Sequence, residues 1–116
     1  SGKDVFEAQK RVNEIKAILE KEIGVNEFLL TPTVGFLCKI SELKKEPISS
    51  NSKLGYYSYF ANILDLSAIS VPTSFYENGM PFGVTIFGKA FEDSKVAFIG
   101  ESIQRKISFL PGKESY

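Results

Sequence analysis

Apolar positions in the first two dozen residues recur at spacings of three and four: Val5, Ala8, Val12, Ile15 and Leu19. That period predicts an amphipathic helix with one apolar stripe. Asp4, with Glu7 three residues on, predicts a capping box at its start, and Gly24 stands where a left-handed C-cap would end it. The pattern then changes. Phe28-Leu29-Leu30-Thr31 is an unalternated run stopped by Pro32, which predicts a strand covered on both faces, as in a parallel sheet. No period holds from Thr33 to Ser50, where Gly35 and Pro47 break the chain and residues 41–46 suit a short helical turn.

A second helix is predicted from about Ser52 to Leu66, with Leu54, Tyr57, Ala61 and Leu64 on one face. Ala68-Ile69-Ser70-Val71 predicts another strand, ended by Pro72. Asn78-Gly79 is a turn signal, because both residues tolerate positive φ. Pro81 cannot donate to a ladder, so the returning strand is predicted to start at Phe82 or Gly83 and run to Phe87. A last helix, capped by Asp93 or Ser94, should bury Val96, Ile99, Ile103 and Ile107 and stop at Pro111-Gly112.

This order is α/β: a mixed sheet of about three to four strands flanked by three helices. With no repeat and no linker, residues 1–116 read as a single segment. The hydrophobic content of 43% suits a packed core. Three or four strands leave at least one sheet edge unpaired, and open edges recruit other chains. The expected partners are therefore more of the same fold or a second copy.

Charge and composition then remove whole classes of function. Fourteen basic and fourteen acidic residues cancel, against the positive excess that nucleic acids and anionic membranes demand. No apolar run approaches the ~20 residues that span a bilayer. A single cysteine, Cys38, makes no internal disulfide, which points to a reducing cytoplasm. The chain has no histidine, which takes away the usual general base and the commonest zinc ligand. No metal and no cofactor are expected.

The remaining chemical candidates are sparse. Ser49-Ser50 lacks both a neighbouring base and glycine amides for an oxyanion hole, so it reads as structural. Cys38 lies in Gly-Phe-Leu-Cys-Lys-Ile and reads as a small buried hydrophobe. Gly79-Met-Pro-Phe-Gly83 and Gly88 lead into a strand and lack the Gly-Lys-Ser/Thr of a phosphate loop, so they read as hairpin glycines. Glu42, Glu46, Glu77, Glu92 and Asp93 read as solvated faces or caps. Asp65 stands apart. Between Leu64 and Leu66, near a predicted helix C-terminus, it opposes the helix dipole and calls for a partner, with Asn62 or a backbone amide in reach.

Three segments carry a resemblance. Leu-Leu-Thr-Pro-Thr (29–33), the stretch from Asn51 to Pro72, and Asn-Gly-Met-Pro-Phe-Gly-Val-Thr-Ile-Phe-Gly (78–88) resemble the C-terminal part of amidase-signature enzymes. Glu-Pro, then Asn-Ser-x-Leu-Gly-x-Tyr, then Phe-x-Asn-x-x-Asp-Leu narrows the resemblance to the allophanate hydrolase branch. The similarity runs from about Asp4 to Arg105 and implies the C-terminal third of an amidase α/β/α sandwich. The implied activity is cleavage of allophanate to ammonia and carbon dioxide, within urea degradation. The family's engine is a serine nucleophile, a second serine on a cis peptide and a lysine base. All lie in a Gly-Ser-rich region upstream of the matched part. This chain has no Gly-Gly-Ser-Ser segment, so no catalytic and no substrate-binding residue is carried across, and the chain alone is expected to be inactive. Asn51, Tyr57, Asn62 and Asp65 are the candidate supporting or structural positions.

The sequence departs from the pattern in two places. Tyr57-Ser58-Tyr59-Phe60 replaces a usual Tyr-Thr-Asn-Phe, and Thr73-Ser74 replaces Ala-Gly. Two alternatives stand beside the allophanate hydrolase reading: a free-standing, non-catalytic binding or assembly module, and a fragment of the A subunit of a tRNA-dependent amidotransferase.

Overall fold

A computed structural model describes residues 1–107; the expected stop at Pro111-Gly112 lies outside them. Helix α1 spans Gly2–Glu22 and does carry a capping box, but one frame earlier than expected. The Asp4 amide donates to the Ser1 hydroxyl, and the Asp4 carboxylate accepts from the Ser1 hydroxyl and ammonium at 2.8 and 2.9 Å. Asp4 is therefore the far member of the box, not the cap. At the other end Ile23 turns extended (φ −87°, ψ 109°). The left-handed residue is Asn26 (φ 64°) rather than Gly24, whose amide donates to the Glu27 carboxylate.

Strand β1 (Leu29–Pro32) follows, then the short helices α2 (Ile40–Lys45) and α3 (Pro47–Leu54). Residues 33–39 are irregular and α2 takes the short helical turn expected at 41–46. Helix α3, however, begins where no helix was expected, with Pro47 at its first turn, where its missing N–H costs nothing. The single helix expected over 52–66 is two: α3 ends at Gly55, and α4 resumes at Tyr59–Ile63 after a tight turn closed by the Ser58 amide on the Gly55 carbonyl. Strands β2 (Ser67–Phe75) and β3 (Pro81–Gly88) form the hairpin, and α5 covers Asp93–Ile107.

The α/β expectation holds, with three strands among the described residues in the order β1-β3-β2. Both pairings are antiparallel, so the unalternated run at Phe28-Leu29-Leu30 does not signal a parallel neighbour. Leu29 and Leu30 remain 40% and 59% exposed on an edge strand. Pro72 does not end β2 either. It lies on the other edge strand, beside a register shift between Pro72 and Ser74, the setting in which a sheet tolerates proline. Pro81 is admitted on a different ground, as the first residue of the central strand β3. Between the strands, Gly79 takes φ 80°, while the Asn78 side chain accepts from the Met80 amide at 3.1 Å.

One face of the sheet is packed. Val71, Ile86 and Val96 form its buried centre, joined by half-buried Phe28, Ile69, Val84, Ile99 and Ile103. Helix α5 approaches closely because its position 100 is glycine: a β-carbon there would lie 3.0 Å from Val71 Cγ2 and 3.2 Å from Ile69 Cγ2. Ile107, expected in this core, is exposed. The first turn of α5 hangs on the Glu92 carbonyl, which accepts from the Lys95 and Val96 amides, one residue before the expected cap.

The rest is open. Val71, Ile86, Phe87 and Val96 are the buried hydrophobic side chains among the described residues, and no residue of α1 is buried. The radius of gyration is 17.1 Å, against about 13 Å for a compact chain of this length. The accessible surface is 8811 Å², where a self-contained protein of this mass exposes roughly 6,300 Å².

Candidate functional site

Strand alternation sends Thr85, Phe87 and Ser70 to the face away from α5. There Phe87 meets Phe60 of α4, with ring centroids 4.9 Å apart, and a group of hydroxyls gathers beside them. Thr33, just past β1, reaches Ser70 of β2 and Thr85 of β3, each at 3.0 Å. Thr33 is held in place by its amide, which donates to the Gly83 carbonyl at 3.0 Å. Thr31 pairs with Thr85 in register, and its buried hydroxyl has no hydrogen-bond partner. Hydroxyls in this arrangement position neighbours through hydrogen bonds. The chain has no histidine, and among the described residues the hydrogen-bond partners of these hydroxyls are other hydroxyls rather than a base. Sequence reasoning missed this cluster. The signal was present in polar residues alternating through strands that are otherwise apolar.

Asp65 takes the left-handed conformation, φ 52°. It ends α4 in a Schellman motif: the Leu66 amide donates to the Ala61 carbonyl at 2.9 Å and the Asp65 amide to that of Asn62 at 3.4 Å. The partner of its carboxylate is Lys16 of α1, forty-nine positions away, and not Asn62. The pair resolves the dipole conflict, setting a cation beside an anion at a helix C-terminus. Asp65 separates two hollows. A smaller one of about 120 Å³ faces Lys16 and Leu19 of α1 and Ile23 just past its end, and a larger one of about 420 Å³ lies between Asn62, Leu66, Ala90 and Phe91.

The other two candidate residues lie elsewhere and support local structure. The Asn51 amide donates to the Tyr59 hydroxyl at 3.2 Å, and that hydroxyl donates to the Asn51 carbonyl at 2.9 Å. Tyr57 stacks edge-on against Tyr56 at 5.2 Å and lies over Gly35, where a β-carbon would come within 2.9 Å of its ring. The four residues thus form two sites. Asn62 and Asp65 share a hollow, and Asn51 and Tyr57 brace α3 and the turn after it. Ser49 and Ser50 sit within α3 rather than on a loop, and Cys38 is half-buried and free. No described group of three histidine, cysteine or acidic residues could hold a metal ion. No described helix is long and apolar enough to cross a membrane.

Comparison with known proteins adds relatives to this geometry. The family model described as Amidase matches residues 4–97. A urea amidolyase of Lachancea kluyveri is 37% identical over 96 residues, 83% of this chain and 5% of that protein. Among solved structures, the allophanate hydrolase of Kluyveromyces lactis superposes with a TM-score of 0.76 at 27% identity, covering 90% of this chain and 16% of that one. The A subunit of the glutamyl-tRNA(Gln) amidotransferase of Thermotoga maritima gives 0.75 at 32% identity, over 87% and 22%. The chain therefore spans between 5% and 22% of the length of these three proteins.

Proposed function

The chain belongs to the amidase family, and on that premise we propose that it is the C-terminal part of a cytoplasmic allophanate hydrolase, carrying sheet and support for chemistry done by a segment upstream. The carrying observation is surface. About 2,500 Å² more is exposed than a self-contained protein of this mass shows, on the scale of an obligate interface. The hydroxyl face of β1, β2 and β3 suits a supporting role, since Thr31 keeps a buried hydroxyl in need of a partner. The relatives named for urea amidolyase and allophanate hydrolase support the substrate reading, as does the Asn-Ser-x-Leu-Gly-x-Tyr segment at 51–57.

In this reading a Ser-Ser-Lys engine upstream hydrolyses allophanate. The serine attacks the carbonyl and expels ammonia, water releases the acyl group from the serine, and the released product breaks down to a second ammonia and carbon dioxide. The present chain contributes no catalytic residue and alone hydrolyses nothing. A second reading, part of the A subunit of a tRNA-dependent amidotransferase, draws on relatives of that name that are similar over as much as 90% of this chain. The test is to express the upstream coding region together with this chain. Ammonia release from allophanate supports the first reading, and glutamine-dependent amidation of glutamyl-tRNA supports the second. A free-standing module is the outcome if that region encodes no Gly-Ser-rich segment and the chain binds nothing it encodes.

A further inference from the structure

The geometry points to Phe91 as the anchor by which this chain seats against the upstream remainder of its amidase domain, an inference that rests on the fragment reading above. Phe91 is 98% exposed and sits at φ 64°, in the short turn between β3 and α5 that the Glu92 amide closes on the Lys89 carbonyl. A bulky side chain at positive φ is a conformational outlier. A fully solvated aromatic ring leaves unburied one of the largest apolar surfaces a residue can offer. Both disadvantages fall on one residue. The other described left-handed positions are Asn26, Asp65 and Gly79, residue types that tolerate that conformation. A turn alone would be better served by glycine or asparagine at 91 as well. The aromatic ring is explained by what it meets outside this chain.

The surroundings fit an interface centre. The ring borders the 420 Å³ hollow whose floor includes Ala61, Leu66 and Ala90, so a partner side chain has apolar surface to enter beside it. Ser67, a buried lining residue of the hollow, is the first residue of β2, whose outer edge has no strand neighbour among the described residues. A partner over Phe91 therefore also reaches an open sheet edge. The small share of the related proteins that this chain spans argues for the upstream remainder as occupant rather than a second copy. Buried aromatic anchors of this kind dominate interface energetics.

The experiment compares the chain with its Phe91→Gly and Phe91→Asn variants, each alone and mixed with the separately expressed upstream segment. Alone, both variants should melt at or above the temperature of the unmodified chain, since they relieve the left-handed strain and give up no buried contact. In the complex, calorimetry should read a Kd weakened about tenfold or more, with Phe91→Tyr restoring most of the affinity. A complex as tight with Phe91→Gly and Phe91→Asn as with phenylalanine overturns the anchor and leaves the fragment reading intact. No complex even with phenylalanine overturns the fragment reading and the anchor with it. Self-association lost in both variants, without affinity for the upstream segment, makes a second copy the occupant and overturns the assignment.

Discussion

Gly79 and Asp65 occupy the same left-handed region for different reasons. At Gly79 the hairpin geometry requires it: the Gly79 amide donates to the Tyr76 carbonyl at 2.8 Å, and the Tyr76 amide to the Met80 carbonyl at 2.7 Å. Gly79→Val should cost about 1–3 kcal/mol through backbone strain, although a β-carbon there meets open space. An unchanged melting temperature would show the turn to be built otherwise. Asp65 combines a tolerated conformation with an ion pair to Lys16 whose carboxylate side is 69% exposed. Solvent screening holds such a pair to about 1 kcal/mol or less. Asp65→Asn keeps the conformation, so denaturant melts should move by no more than about that amount. A larger loss would mean that the Lys16 pair fixes α1 against the sheet more strongly than its exposure allows. Asp4 titrates. The Ser1 ammonium, then the Ser1 hydroxyl, hold its carboxyl below the usual aspartate range. A depressed acid stabilises the cap above its unfolded-state pKa, and that contribution disappears as pH falls through the lower, folded value. An NMR titration should give Asp4 a midpoint below that of an unstructured aspartate, with the first turn of α1 fraying below it. A normal midpoint would refute the cap.

Helix α5 is the element that binds the molecule together, and its fit to β2 depends on the absence of a side chain at position 100. Gly100→Ala gains about 1 kcal/mol of helix propensity. It also drives a methyl to 3.0 Å from Val71 and 3.2 Å from Ile69, into a core where overpacking costs about 1–3 kcal/mol. The net expectation is destabilisation, read as a lower midpoint in urea. A stabilised variant would mean that α5 can lift off the sheet without loss. Helix α1 is the opposite case. It has twenty-one residues and an apolar stripe, yet buries none of them, so its periodicity reports a face that the other described residues do not cover.

The whole molecule is a thin slab, 17 Å in its shortest dimension and 55 Å in its longest. One side of the sheet is closed by α5, and both sheet edges are open among the described residues. Exposed apolar side chains on α1, such as Phe6 and Ile18, add to those edges. The purified chain should therefore dimerise or aggregate with rising concentration, measured by light scattering. A stable monomer at high concentration would speak for the free-standing module. Incubated alone with allophanate or simple amides, the chain should release no ammonia above a heat-killed control. Activity abolished by Ser49→Ala or Ser50→Ala would place a nucleophile within α3 and end the inactive reading.

Features of short range were legible in the residues alone: the amphipathic period of α1 and α5, the positive φ at Gly79, the strand character of 29–31 and 68–71, and the absence of an imidazole base. Those follow from side-chain spacing and backbone freedom over a few residues. Other features exist only once the chain has folded. Pro72 and Pro81 stay within strands because one lies on an edge and the other begins its strand, and edges are known only once strands are ordered. The helix expected over 52–66 breaks after Leu54, while the Tyr59 hydroxyl folds back to hydrogen-bond with Asn51. Asp65 finds Lys16, and Thr33 bridges Ser70 to Thr85. Those partners are tens of residues apart, and no local pattern encodes which distant charge or hydroxyl the folded chain will bring within hydrogen-bond reach.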